Sequence, residues 1–426
     1  MSPRPYARRT IDDELDELLA DLPAISLEGP KGVGKTATAL QRAQTIHRLD
    51  DPAERAVLEA DPARLLGGEP PVLIDEWQRL PESWDLVRRA VDDGAAPASF
   101  LLTGSASPTD PPTHSGAARI VTLRMRPLSL AERGSAEPTV SMADLLTGTR
   151  PPVFGETDKR LEYYVEEILA SGFPGLRTLS GRALRAQLES YLTRIVDRDM
   201  RELGAAVRNP AALRRWMTAY AAASSTTTTF ERIRDAATGG HGEKPARTTV
   251  IPYRDALERL WIVDPVLAWL PSRSHISRLA SPPKHQLADP ALAARLLGVD
   301  AAALLDAAPV SPAIPRDGTL LGALFESLVT LSVRVYAQYS EATVKHLRTI
   351  KGDHEVDLIV ERADGRVVAI EVKLGRRVDD RDTRHLHWLA KRIGDDLLDS
   401  VIITTGQSAY RREDGVAVVP AALLGR

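Results

Sequence analysis

Pro23-Ala-Ile-Ser-Leu27-Glu-Gly29-Pro-Lys-Gly-Val-Gly-Lys35-Thr36 is the stretch that decides the fold. An apolar strand runs into GPKGVGKT, a full match to G-x-x-x-x-G-K-[ST], and Thr36 to Ala43 reads as a helix, the context this motif requires. Glycines in such a loop let backbone N–H groups turn inward and surround a β-phosphate at a helix N-terminus. The expected nucleotide cradle is therefore Gly29, Pro30, Lys31, Gly32, Val33, Gly34, Lys35 and Thr36. Lys35 would reach the β/γ oxygens of ATP, and the Thr36 hydroxyl would ligate Mg²⁺.

Working outward, Pro71-Val-Leu-Ile-Asp75-Glu76 is an apolar strand ending in two acids. Asp75 is the expected holder of Mg²⁺ through water, and Glu76 the general base that polarises the attacking water. A further strand, Ser99 to Thr103, ends in Gly104-Ser105, where Ser105 or Thr103 is the candidate to sense the γ-phosphate or the water. Arg119, Arg124 and Arg126 follow a Pro-rich loop; an arginine there can stabilise transition-state charge, and Arg119 is the first candidate.

Composition narrows the rest. With 426 residues the chain is long enough for two or three domains. Zero Cys excludes disulfide scaffolds, zinc-thiolate sites and thiol nucleophiles. The N-terminus lacks an apolar signal region, and no apolar run approaches the roughly 18 residues of a spanning helix, so a cytoplasmic chain with no membrane partner is expected. Only 9 of the 55 basic residues are Lys, so a Lys inside a motif is informative. The net charge of -3 confines any nucleic-acid surface to local patches.

Three blocks are expected: residues 1–155, a parallel α/β nucleotide-binding domain; 156–310, helical; and 311–426, mixed α/β. Gly134 to Gly155 reads as a linker or excursion, and Pro309 to Gly318 as a second linker. In the middle block Pro210–Ala223, Thr229–Ala237 and Thr248–Leu260 read as helices, followed by an apolar pair, Trp261-Ile-Val and Val266 to Trp269. That order is a winged helix-turn-helix. Arg247, Arg254 and Arg259 are its candidate phosphate contacts, and Arg182 to Met217 carries eight Arg against four acids. The alternative is that these arginines pair with acids and the element only connects domains.

In the last block His354 to Glu361 and Arg366 to Lys373 alternate around Asp364-Gly365, a hairpin. A three-residue loop would put Asp357 opposite Glu371, and a two-residue turn would put it opposite Val372. Two carboxylates on adjacent strands suit Mg²⁺ or Mn²⁺, and Lys373, beside Glu371, can orient the attacking water. Asp357, then Glu371-x-Lys373, with Glu326 on the preceding helix, resembles the PD-(D/E)xK nuclease pattern. His385 or His387 is a further candidate polar group. The residues equally suit a cross-strand salt bridge, or a nuclease-derived fold used for binding.

LEGPKGVGKT, LDDP (Leu49–Pro52), PVLIDEWQRLP (Pro71–Pro81), FLLTGSAS (Phe100–Ser107) and LRMRPLSLAE (Leu123–Glu132) together resemble a bacterial and archaeal family of AAA-type P-loop ATPases with a C-terminal domain called DUF4143. SGFPGLR (Ser171–Arg177), YLTRIVDRDM (Tyr191–Met200) and QLADPALAARLLG (Gln286–Gly298) extend the resemblance over nearly the whole chain. Lys31-Gly32 departs from the Arg-Gln often found there. The resemblance implies a P-loop NTPase domain, a winged-helix middle region and a restriction-endonuclease-like C-terminal domain. By family analogy it places Arg8 or Arg9 over the nucleotide base.

The expected function is ATP binding and Mg²⁺-dependent hydrolysis, acting on or with DNA, with a second Mg²⁺ or Mn²⁺ at Asp357 and Glu371. The alternative is a nucleotide-switched DNA- or protein-binding assembly factor whose C-terminal domain is catalytically inactive. A homo-oligomer or a protein partner is consistent with either.

Overall fold

The structure, a computed structural model, describes residues 6–105, 116–200, 209–238, 247–271, 281–305, 318–349 and 352–426. The second expected linker up to residue 317, the Pro-rich loop over 106–115, and Arg201 and Arg208 of the basic stretch lie outside the described residues.

The first block comprises α1 (Thr10–Leu19), β1 (Ala24–Glu28), α2 (Lys35–Ala39), β2 (Thr45–Arg48), α3 (Pro52–Ala60), β3 (Val72–Asp75), α4 (Glu82–Asp92), β4 (Phe100–Gly104) and β5 (Val121–Arg124). Its strands are parallel in the order β2-β3-β4-β1-β5. The central strands β1, β3 and β4 read as nearly continuous apolar runs because both faces are covered, while the edge strands β2 and β5 alternate and are partly exposed. Ile25, Leu27, Leu73 and Leu101 share a core with Ile11, Leu15 and Leu19 of α1. Phe100, Leu102 and Ile74 pack on the other face with Leu58 of α3 and Trp84 and Val87 of α4. β4, inserted between β1 and β3, lines up Leu27, Thr103 and Asp75 across three strands. Ligands in such sheets bind outside the carboxyl ends of the strands, where the strand order reverses.

Gly134 to Gly155 is an excursion with its own structure. It holds β6 (Val140–Ser141) and α5 (Met142–Leu146), and β7 (Gly155–Glu156) begins at its end. Met142 and Leu145 are fully buried, β6 pairs with Leu424–Gly425, and β7 pairs with Ser408 and Ala409. The segment therefore belongs as much to the C-terminal core as to the first block.

The middle block contains α6 (Leu161–Ala170), α7 (Gly181–Arg194), a π-helical turn at Ile195–Asp199, α8 (Pro210–Ala222), α9 (Phe230–Thr238) and α10 (Arg247–Arg259). Asn209 caps α8 by accepting from Ala212 N–H, with Pro210 in its first turn, so the helix starts where the sequence predicts. The expected wing is not formed as a pair. Val263 bridges Leu287 and Val266 bridges Lys284, while β8 (Leu267–Ala268) joins Lys345 and His346 in parallel. An open sheet edge supplies the reason: Trp269 N–H donates to His346 O at 2.6 Å and its indole N–H to Glu361 at 2.8 Å. Then come α11 (Pro290–Leu297) and α12 (Ala301–Leu305).

The last block runs α13 (Gly318–Tyr339), β9 (Thr343–Arg348), β10 (Glu355–Glu361), β11 (Val367–Lys373), α14 (Arg384–Ile393), β12 (Leu397–Thr404), β13 (Ser408–Arg411), β14 (Ala417–Pro420) and β15 (Leu424–Gly425). Its mixed sheet has the order β7-β13-β14-β12-β11-β10-β9-β8. Leu324, Phe325 and Leu328 of α13 share a core with Leu358, Val360, Ile370 and Ile403. Leu386 and Leu389 of α14 cover the other face with Ile359, Ala369 and Ile402. α13 is long and apolar enough to cross a membrane, yet 67% of that apolar window is buried inside the fold, as suits a core helix between elements.

Candidate functional site

Backbone approach explains the loop's first glycine. A Cβ on Gly29 would sit 2.1 Å from Met125 O, so only glycine fits against the chain leaving β5. Gly34 caps α2 at φ 108, a left-handed conformation that glycine adopts without strain. Lys35 is buried, and its ammonium donates to Gly29 O at 2.8 Å and Pro30 O at 3.1 Å. Burial lowers its pKa to about 8, against the opposing pull of Glu76, Asp75 and Glu28.

The strand register assembles the acids. Thr36 Oγ1 donates to Asp75 Oδ1 at 2.7 Å, and Thr103 Oγ1 donates to the same carboxylate oxygen. Glu76 follows with φ 58, a left-handed backbone unusual for a residue with a side chain. Its Oε1 accepts from Ser105 Oγ at 2.8 Å and its Oε2 from the Gln78 amide. Ser105 and Thr103, alternatives in the sequence, take different tasks: Thr103 holds Asp75, and Ser105 orients Glu76. Gln78 was not singled out, although its place two residues past Glu76 is its signal. The hard oxygens of Thr36 and Asp75 suit Mg²⁺, which would supply charge neutralisation on β/γ-phosphate oxygens.

The arginines are already partnered. Arg119 pairs with Asp92 at 2.7 Å, at the C-terminal end of α4 and still half-exposed, so reaching a nucleotide would mean leaving that acid. Arg124 and Arg126 turn away to the middle block, where Asp264 accepts Arg124 at 2.9 Å, Arg126 at 3.3 Å and Arg334 at 2.6 Å. Burial pushes Arg126 down to about 9. Burial raises Asp264, but the three guanidiniums outweigh it and hold its carboxyl well below the usual range. Arg8 is tied to Asp13 and Asp16. Arg9 is buried on Glu132 at 2.9 Å and donates to Val33 O at 3.3 Å, so it supports the loop from behind. Lys31 meets Asp199 at 2.6 Å, and Tyr191 O–H donates to Lys31 O at 3.1 Å, so α7 and its π-turn rest on the loop.

Among the candidate DNA contacts, Arg254 pairs with Asp255 at 3.1 Å and stacks over Phe230 at 4.9 Å. Arg214 and Arg295 share Glu189 at 2.8 and 2.7 Å. The side chain of Arg247 lies outside the described residues.

At the C-terminus the hairpin takes the register of the three-residue loop: Leu358 faces Ile370 and Glu361 faces Val367, which sets Asp357 opposite Glu371. A β-bulge between Val356 and Ile359 breaks the alternation, so Val356 and Leu358 enter different cores. Bulges re-aim side chains, and here Asp357 shares a partner with Glu326 of α13. That partner is Lys284, which lies 2.8 Å from Glu326 Oε1 and 3.2 Å from Asp357 Oδ1. Asp357 Oδ2 accepts Val372 N–H at 2.9 Å, and Lys373 pairs with Glu371 at 2.6 Å. Of the expected metal pair, both oxygens of Asp357 are thus spent on protein partners, while Glu371 gives Oε2 to Lys373 and keeps a buried Oε1 without a partner among the described residues. Among the described residues no three ligating side chains are placed to hold a metal ion. His385 Nδ1 meets His354 Nδ1 at 3.4 Å, and His387 meets Asp414 at 3.4 Å.

Comparison with known proteins divides the chain. Residues 21–133 match an AAA domain. Residues 161–303 match DUF8612 and residues 321–424 match DUF4143, both domains of unknown function. The chain is 28% identical over 423 residues to the uncharacterized proteins Rv2008c of Mycobacterium tuberculosis and Mb2031c of Mycobacterium bovis, spanning 97% of this chain and 83% of each relative. A solved Walker-type ATPase of Pyrococcus abyssi is similar at 18% identity and a TM-score of 0.40, over 69% of this chain and 98% of that one. The Aeropyrum pernix ORC2 protein is similar at 13% identity and a TM-score of 0.31, over 70% of this chain and 93% of that one. The AAA match begins just before β1 and ends just after Glu132, so it contains the loop, Asp75, Glu76 and Ser105.

Proposed function

We propose that the AAA domain binds ATP with Mg²⁺ and hydrolyses it. The observation that carries this is the row Thr36–Asp75–Thr103 at the sheet's carboxyl edge, with Glu76 next to it and held by Ser105. In this reading the loop amides and Lys35 bind the β/γ-phosphates, and Thr36 and Asp75 hold the metal. Glu76 takes the proton of the attacking water, and Arg119 is the arginine that meets developing charge. The test is ATP turnover of the pure protein with divalent metal. Lys35→Ala should abolish it, and equal turnover in that variant would sink the claim.

A second reading, a nucleotide-switched binding protein with a silent C-terminal domain, is favoured by the Lys31–Asp199 contact between the loop and the middle helices. DNA is the partner proposed from the basic stretch. Running the turnover assay with and without DNA, and measuring DNA affinity in ATP against ADP, separates these readings. A DNA affinity unaffected by nucleotide, with no stimulation of turnover, points to a protein partner instead.

A further inference from the structure

We propose that Lys284 is a resident cation that closes the C-terminal carboxylate cluster, standing where two carboxylates would otherwise share a divalent metal. The site then holds no metal and cleaves no phosphodiester, and its carboxylates serve to lock the segment before α11 onto the C-terminal sheet.

The side chain of Lys284 is 1% exposed, and its ammonium has Glu326, Asp357 and Glu355 at 2.8, 3.2 and 3.7 Å. It also lies 3.4 Å from Asp357 O. An ammonium has three donors and no free coordination position, so a metal cannot share this space without expelling it. The backbone fixes where the side chain starts, and burial with three carboxylates holds its end. Lys284 and Val266 exchange both N–H···O bonds at 2.9 Å, and His285 N–H donates to Thr226 O at 2.9 Å while Ser225 N–H donates to His285 O at 2.8 Å. Lys284, His285 and Gln286 are three consecutive buried polar residues; His285 Nε2 lies 2.6 Å from Thr228 O and Gln286 Nε2 donates to Ser225 Oγ at 3.0 Å, while His285 Nδ1 and Gln286 Oε1 have no partner among the described residues. Three carboxylates within 4 Å are the charge complement of this buried ammonium. Glu371 completes the picture: it is 3% exposed and its Oε1 has no hydrogen-bond partner among the described residues. Glu326 and Asp357 are the carboxylates that a metal would bind if Lys284 were gone, with the free Glu371 oxygen on the neighbouring strand.

The experiment is a Mn²⁺ titration, read by electron paramagnetic resonance, of the nucleotide-free full chain carrying Thr36→Ala to remove the AAA-domain ligand. Expected is no Mn²⁺ bound below millimolar concentration, and no cutting of plasmid DNA. Adding Lys284→Ala should create one Mn²⁺ site at least ten-fold tighter than the parent, abolished again by Asp357→Asn. Mn²⁺ binding by the Lys284-containing protein that Asp357→Asn removes, or DNA cleavage by it, overturns the proposal. So does a folded Lys284→Ala chain that gains nothing. Should Lys284→Ala fail to fold, the Thr36→Ala chain alone decides: Asp357-dependent Mn²⁺ overturns the proposal, and its absence supports it. ATP turnover does not enter any of these outcomes, so failure here and failure of the ATPase reading are distinguishable.

Discussion

The ammonium of Lys31 and the carboxylate of Asp199 lie 2.6 Å apart although 168 residues separate them. One belongs to the phosphate-binding loop and the other to the π-helical turn that extends α7. π-turns inside helices often mark functional positions. The contact gives the loop's electrostatics a direct line to the middle block.

Under the proposed nucleotide binding, Asp199 would compete with phosphate for the Lys31 charge. Asp199→Asn is expected to tighten ATP binding, by about 1 kcal/mol for a pair whose lysine is partly exposed, or roughly five-fold in affinity. Calorimetric titration of both proteins with ATP checks this. Weaker binding in the variant would mean that Asp199 instead supports the loop.

Lys35 sets a pH limit. Its pKa is lowered to about 8 by burial, and phosphate needs the charged form. Affinity for ATP is expected to fall as pH rises above about 8, by up to about ten-fold per unit, with proton uptake on binding there. Proton uptake is read by titrating in buffers of different ionisation enthalpy; Lys35→Met should show none. The stability sign follows. Between the native value and the ordinary Lys value the unfolded chain binds more protons, so this group's contribution to stability rises with pH in that window.

Under the proposed hydrolysis, Glu76 and Ser105 have separable roles. Glu76→Gln should keep ATP binding while kcat falls roughly 10²- to 10⁴-fold, the loss typical of a missing general base. Ser105→Ala should lower kcat less and leave KM unchanged, because Glu76 keeps its Gln78 partner. Steady-state kinetics on both variants distinguishes an orienting serine from one that binds nucleotide.

Asp264 is the charge that three arginines from two blocks require. Asp264→Asn leaves those guanidiniums buried without their counter-charge, a loss of about 3–5 kcal/mol. Its depressed carboxyl also carries a pH signature: the stabilisation is complete above the unfolded value of about 4 and is lost as pH falls below it. Thermal melts at pH 5 and pH 2 should show a large acid loss in the wild type and a smaller one in the variant.

The loop, the Asp75-Glu76 strand end and the hairpin were legible because each is local: periodicity, glycine spacing and a turn lie within a dozen residues. The wing was misread for the complementary reason. Val266 to Trp269 reads as a strand whatever its partner, and the partner is an edge some eighty residues away in sequence. Lys284 carried a usable signal, since it is one of 9 lysines, but lies in no motif.

The sequence by itself determined the glycine-rich loop between β1 and α2 and the acidic end of β3, because backbone turns and a strand-to-helix junction follow from residue types at fixed spacing. Only the tertiary structure decided the charges. Whether Asp357 meets a metal or an ammonium, and whether Arg126 meets a nucleotide or Asp264, depends on which distant side chain is brought within about 3 Å. In a buried site of low dielectric that nearest charge outweighs everything farther away.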